Sequence, residues 1–333
     1  MSIPTRRDFL GTVLQAAAVP ALLTPWGAGA QTLPDVIKLV CGFPPGGSAD
    51  AITRWVGDKL GGKLAKTAIV DNRAGAGGRL AVDAVKSAPA DGTTMLLTPS
   101  SIVAMYPHVY AKLSYDPLID LVPVAQVCEF VHGFAVGPAV PASVKNFVDF
   151  VAWCKANPRL ANCGNTGDGS LPHFVTLMLS RDTGVKIEPV PYKGTAPAIN
   201  DLLGGQLTSA IAPEGSFTSH VKDGKLRLLA TSGAKRSQFF PEVGTFAEQG
   251  AKSAVIGEWF GLFMPSKTPA AVAARAADAV RAAVQQKDME EKFAKFGMVN
   301  TGSTPAELAR RLKADFDFWG PVVKSTGFTP LSA

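Results

Sequence analysis

The chain has 333 residues, 47% of them hydrophobic and 18% charged, with a formal net charge of +6. That apolar content supports full cores. The positive excess is slight, forms no basic cluster or aromatic-interleaved stripe, and excludes a nucleic-acid binder. Four cysteines in so long a chain exclude a disulfide scaffold; Cys154 and Cys163 are close enough in sequence to bridge, and four buried thiols are the simpler expectation.

The first element is a leader. Thr5-Arg6-Arg7-Asp8-Phe9-Leu10 precedes a weakly apolar run to about Leu23 and then Ala28-Gly29-Ala30. Paired arginines, a short apolar region and small residues describe a cleavable export signal at 1–30, cut near Ala30-Gln31. It resembles a twin-arginine (Tat) signal, with Gly11 where such signals often carry lysine. Gln15 and Pro20 break the apolar run, which is too short for a membrane span, and no later run reaches that length. Cleavage removes Arg6, Arg7 and Asp8, so the formal charge falls from +6 to +5. The expectation is a soluble periplasmic protein without a lipid anchor, because Cys41 lies too far from the apolar region.

Strand-like Val36–Val40 and helix-like Ala51–Leu60 enclose Phe43-Pro44-Pro45-Gly46-Gly47-Ser48-Ala49-Asp50. The prolines stiffen the exit from the strand and the glycines permit tight turns. Ser48 or Asp50 is expected to cap the helix, whose first N–H groups make a site for a carboxylate. A bare strand-to-helix connection is the plain alternative. Gly57–Leu64 has the spacing of a phosphate loop, but Leu64 stands where Ser or Thr is needed, so Gly61-Gly62 reads as a helix stop. After the strand Thr67–Val70, Asp71–Gly78 has the look of a dinucleotide fingerprint until Leu80 takes the place of its last glycine. No nucleotide or other cofactor is implied.

Further strands are expected at Thr94–Thr98, Leu121–Val127, Phe134–Val136, Gly184–Val190, Leu207–Ile211, Leu226–Ser232 and Trp259–Met264. Helices are expected at Leu80–Ser87, Val144–Asn157, Leu171–Thr183, Ala196–Leu203, Ala270–Gln286, Lys287–Phe296 and Pro305–Trp319. Such alternation argues an α/β fold with largely parallel sheets, whose ligands sit beyond the carboxyl ends of strands. Asn162–Ser170 is a second glycine-rich loop leading into a helix, where Ser170 offers a cap and a hydroxyl. Ser170 and His173 stand three apart, the spacing of a nucleophile and base on one helix face. No Gly-x-Ser-x-Gly elbow or acid partner supports that reading, and His173 reads better as a structural residue. His108, His132 and His220 are scattered, with no metal-site spacing. Pro191–Pro197 and Ala212–Ser216 are further loops, in which Tyr192 can line a cleft, Lys193 reads as a solvated charge, and Glu214 is either an exposed acid or a receiver of a ligand donor.

Taken in order, these segments resemble the extracytoplasmic receptors of tripartite tricarboxylate transporters, the Bug proteins. The match rests on Phe43–Asp50, Asp71–Gly78, Asp91-Gly92-Thr93, Gly164–His173, Pro191–Gly194, Leu203–Gln206, Gly224–Arg227, Trp259-Phe260-Gly261 and Met264-Pro265, and it runs through nearly the whole mature chain. The resemblance implies a type II periplasmic binding protein: two α/β lobes joined by two crossing strands, with the ligand cleft between. Lobe 1 is expected at 31–130 and 258–333 and lobe 2 at 131–257, with crossings near Val127–Phe134 and Glu258–Phe263. It further implies a non-enzymatic receptor that gives a small carboxylate to an inner-membrane permease of two membrane subunits. Backbone amides and ordered water from opposed loops would hold the carboxylate, the lining residues being Phe43, Pro45, Gly46, Gly47 and Ser48, then Thr98, Ser100 and Ser101, and Gly167, Asp168, Gly169 and Ser170, with Tyr192 and Glu214 nearby. Two departures stand out: Cys41-Gly42 before the first loop, and Asp168 within the second, which should repel a second carboxylate if it points inward. The expected ligand is a monocarboxylate, or a related amide or amino acid with a polar or cationic far end. The alternatives are an exported hydrolase using Ser170 and His173, and a receptor that feeds a sensor protein.

Overall fold

The computed structural model describes residues 33–332; the expected export signal lies outside them. The elements run β1 (Val36–Cys41), α1 (Ser48–Leu60), β2 (Thr67–Asn72), α2 (Arg79–Lys86), β3 (Thr94–Pro99), α3 (Tyr106–Val109), β4 (Leu121–Val136) and α4 (Phe147–Ala156). They continue with β5 (Asn162–Asn165), α5 (Leu171–Thr183), β6 (Glu188–Pro191), α6 (Thr195–Leu203), β7 (Ser209–Pro213), α7 (Thr218–Lys222) and β8 (Arg227–Thr231). The chain closes with β9 (Gly257–Pro265), α8 (Ala270–Val284), α9 (Lys287–Ala294), β10 (Val299–Asn300) and α10 (Pro305–Ser325).

Two local differences from the sequence reading have clear causes. The stretch expected as two strands, Leu121–Val127 and Phe134–Val136, is the single strand β4, because Gly133 lies in ladders on both edges, against Ala212 and Thr231. Asn162–Asn165 forms strand β5 although it lacks apolar alternation; parallel neighbours pair with both its edges and satisfy its backbone groups.

The sheet order is β2-β1-β3-β9-β4-β7-β5-β6, with β8 and β10 also on β4. One arrangement occurs twice. In the first half β1 pairs β2 and β3 in parallel, and β3 meets the antiparallel β9. In the second half β5 pairs β6 and β7 in parallel, and β7 meets the antiparallel β4. The order therefore reverses beside β1 and again beside β5, which are the places where α/β sheets leave a crevice.

The halves are joined where β4 passes from one to the other. Val131 pairs Gly257 at the start of β9, His132 pairs Pro213 at the end of β7, and Gly133 pairs Thr231 at the end of β8. The return path is tied to the same point: Ser232 N–H donates to His132 O at 2.8 Å and Ile256 N–H to Ser232 O at 2.7 Å. One hydrophobic core runs through the junction, from Leu96 and Met105 through Phe134 and Trp259 to Phe147 and Phe174. Cys41, Cys128, Cys154 and Cys163 are all free and buried, so Cys154 and Cys163 do not bridge. Among the described residues no helix is long and apolar enough to cross a membrane.

Candidate functional site

The loop after β1 is built by Asp50 and Asn72. Helix α1 starts at Ser48, with Gly47 as its N-cap and no side-chain cap, so neither Ser48 nor Asp50 caps it as expected. The buried Asp50 carboxylate instead reaches back to Gly46 N–H at 3.0 Å and takes both arms of Arg54 at 2.9 Å. Asn72 Nδ2 donates to Asp50 Oδ1 and to Phe43 O, both at 2.9 Å. Pro44, Pro45, Gly46 and Gly47 are left exposed over the uncapped helix end. Such an end is suited to an anion.

Hydrogen bonding from Arg54 holds the Asp50 carboxyl at about 2 against an ordinary 3.8. Asp50→Asn is expected to cost about 2 kcal/mol in a urea melt near neutral pH, as charge-assisted bonds are lost from a buried group. The Asp50 contribution is whole above pH 3.8 and is lost as pH falls towards 2, because the unfolded chain then takes up the proton first. The stabilities of wild type and variant should converge in acid.

Glycines close the first half of the site. A Cβ at Gly42 would lie 2.8 Å from Gly78 Cα, so only two glycines let these backbones meet. A Cβ at Gly78 would in turn strike Ile102 Cδ1 at 2.4 Å and stand 3.6 Å from the Phe43 ring, which brings the loops after β1 and β3 together. Thr98 and Ser100 are buried at the end of β3 and Ser101 is half-buried. Ser100 Oγ accepts from Trp259 N–H at 3.5 Å, and Ser101 lies close enough to Glu258 to favour its ionised carboxylate.

In the second half Gly167 N–H donates to Asn165 Oδ1 at 3.0 Å, while Asn165 Nδ2 is buried with no partner. Ser170 caps α5 by accepting from His173 N–H at 3.4 Å, and His173 Nδ1 accepts from Gly169 N–H at 3.3 Å. The imidazole lies 3.5 Å from Asp168, whose side chain is 60% exposed. Both functional groups of the proposed nucleophile and base are thus spent on shaping the loop, as expected for a structural His173. Burial lowers the imidazole's basicity, and the nearby Asp168 charge partly offsets that. The loops after β5 and β6 meet where Gly167 faces Tyr192 O. The Tyr192 hydroxyl donates to Asp201 Oδ2 at 2.6 Å, so its polar tip is already engaged within its own half. Gly169 packs against Val109, Phe328 and Leu331, which seats this loop on the first half.

Glu214 is buried at the end of β7. It lines a 410 Å³ cavity with Phe130, Val131, Lys235, Phe239 and Arg311. Its Oε1 accepts from the Ser237 hydroxyl at 2.6 Å, its Oε2 has no partner, and burial raises its carboxyl to about 7. The sequence reading missed Asn72, Asn165 and Glu258. Asn72 and Asn165 close the strands that feed the loops, a position that periodicity does not mark. Among the described residues no group of three His, Cys, Asp or Glu side chains is gathered to hold a metal.

The family model "Tripartite tricarboxylate transporter family receptor" matches residues 52–328. Protein BugT of Bordetella pertussis is 33% identical over 292 residues, which is 87% of this chain and 89% of that protein. A solved R. palustris protein with adipate superposes with a TM-score of 0.81 at 29% identity, covering 89% of this chain and 99% of that one. MatC of Rhodopseudomonas palustris with bound malate gives a TM-score of 0.76 at 26% identity, covering 87% and 99%.

Proposed function

The chain belongs to the tripartite tricarboxylate transporter receptor family, and we propose that it captures a small carboxylate in the periplasm for an inner-membrane permease of two membrane subunits. It is a binding protein of two α/β lobes, not an enzyme. The observation that carries the ligand reading is the placement of a glycine-rich loop at each reversal of strand order. The first turn of α1, which no side chain caps, serves the first, and the Gly167–Ser170 loop beside the unpartnered Asn165 Nδ2 serves the second. Phe43, Pro45, Ser48, Thr98, Ser100 and Ser101 would shape the first wall, with Asp168, Asn165 and Tyr192 on the second. Lobe 1 would comprise 31–130 and 258–333 and lobe 2 residues 131–257, closing about Val131–Gly133. Export by the leader at 1–30, cut near Ala30-Gln31, would deliver the mature chain.

The relatives solved with adipate and malate make dicarboxylates the first probes. Asp168 argues for a ligand with one carboxylate and a polar or cationic far end, because an ionised acid in the wall repels a second anion. A thermal-shift screen over mono-, di- and tricarboxylates, amino acids, aromatic acids and amides tests both points. A hundredfold excess over Kd should add about 2.7 kcal/mol to apparent stability. A selective shift names the ligand class. A tricarboxylate far ahead of monocarboxylates would sink the argument from Asp168, and silence across the library would count against the receptor reading.

A further inference from the structure

At the junction of the halves, Glu258 opens β9 and is 6% exposed, while His132 lies inside β4 and is 1% exposed. His132 Nε2 stands 3.5 Å from Glu258 Oε2, and His132 Nδ1 is buried without a partner. The polar groups around the pair come from each element packed on it. Ser101, after β3, lies beside Glu258 and favours its ionised form, the next residue Trp259 ties β9 to the same loop through Ser100 Oγ at 3.5 Å, and Ser232 Oγ takes the His132 backbone N–H at 2.9 Å. Tyr106 of α3 lies within reach of the Glu258 charge, and burial keeps its phenol protonated. The Phe130 ring lies 5.6 Å from the imidazole; the charged groups nearby are Arg79, which acts on Tyr106 together with Glu258, and Arg311 of α10, beside Gly257 and ion-paired with Asp315.

Burial raises the Glu258 carboxyl to about 7 and lowers His132 to about 3. The pair therefore holds one proton below neutral pH, whichever of the two atoms carries it, and is electrically neutral. Loss of that proton leaves one uncompensated negative charge behind the loop that follows β3, and it draws the Ser101 donors towards Glu258.

We propose that Glu258, acting through Ser101 and sharing a proton with His132, makes carboxylate capture proton-linked. A neutral pair leaves the loop receptive to an anion, and an ionised one opposes it. Glu258 is thus a positioning residue for the ligand loop, and the inference rests on the receptor reading above. A ligand carboxylate stays ionised throughout this range, so the ligand itself cannot supply the effect.

The test is calorimetric titration of the mature chain with adipate, malate, their monoamides and an aromatic monoacid. Wild type should bind about tenfold more tightly at about pH 6 than at about pH 8, as one linked proton allows. Titrations in two buffers of different ionisation enthalpy should show proton uptake near neutrality, a readout that needs no variant. Glu258→Gln, which keeps a hydrogen-bonding group of the same shape, should bind equally at both pH values, with the affinity of wild type at the lower one. Binding that is pH-independent in wild type, or equally pH-dependent in the variant, overturns the proton link alone. Absence of binding by every probe at both pH values overturns the receptor reading beneath it.

Discussion

Gly46→Val will lose at least about a hundredfold in carboxylate affinity while the protein remains folded; a hundredfold corresponds to about 2.7 kcal/mol. Gly46 has φ +91°, and no atom lies within 4 Å of a Cβ built there, so the substitution meets no steric clash. Its whole effect is on the backbone. A β-branched residue at this φ is strained by about 1–3 kcal/mol, which the loop relieves by turning its N–H groups away from their present direction. The Gly46 N–H now held by Asp50 would be the first to move. Gly184→Val is the matched control: φ is +66° and nothing lies within 4 Å, at the far end of α5. It should lower the melting temperature slightly and leave affinity unchanged. Gly169 is a poorer test, because a side chain there would strike Val109 and Leu331 and confuse packing with binding. Titration calorimetry beside a thermal melt separates the two effects. An unchanged Kd for Gly46→Val would remove the loop after β1 from the site.

Phe134→Ala is the substitution with the largest expected effect on stability, about 3–5 kcal/mol. The ring is fully buried, with centroids 5.2 Å from Phe147, 4.9 Å from Phe150 and 6.1 Å from Phe246. Its backbone pairs Ile211 on one edge and Ala230 on the other, so the cavity would open at the centre of the second half. Neighbours held in two ladders collapse poorly into a void, which places the cost towards the upper end of the range. Phe318→Ala, at a ring 43% exposed, should cost under about 1 kcal/mol. Guanidinium denaturation of both variants checks the contrast. Equal costs would mean that the aromatic cluster does not hold the second half together.

The alternation of strand-like and helix-like runs made the α/β class legible, because each run carries its own apolar signal. Helix α5 was expected with the observed bounds, Leu171–Thr183, since Ser170 before it and Gly184 after it mark both ends. The run Ser101–Met105, which continues β3 as a short π-helical turn, left no comparable mark in the sequence. At the site, the glycine loops were visible as composition. What was hidden is which side chains fix them. Asp50 was expected to cap α1 and instead clamps Gly46, a choice made by Asn72 and Arg54 from outside the loop. Glu214 was grouped with the loops because it follows a strand end. Its carboxylate accepts from the Ser237 hydroxyl, a partner 23 residues on in the sequence that no local pattern marks. Glu258 carried no local signal, since its partners lie more than a hundred residues away in sequence.

The four thiols carry a practical consequence. Burial raises the pKa of each of them, to about 12 at Cys154 and about 11 at Cys163. Only the thiolate reacts, so all four should stay silent towards maleimides and mild oxidants in the folded protein. The native chain is therefore a clean background for labelling. Two added surface cysteines, one on each half, can carry a dye pair without removing any native residue, and the distance between the dyes then reports how far the halves move when a solute arrives.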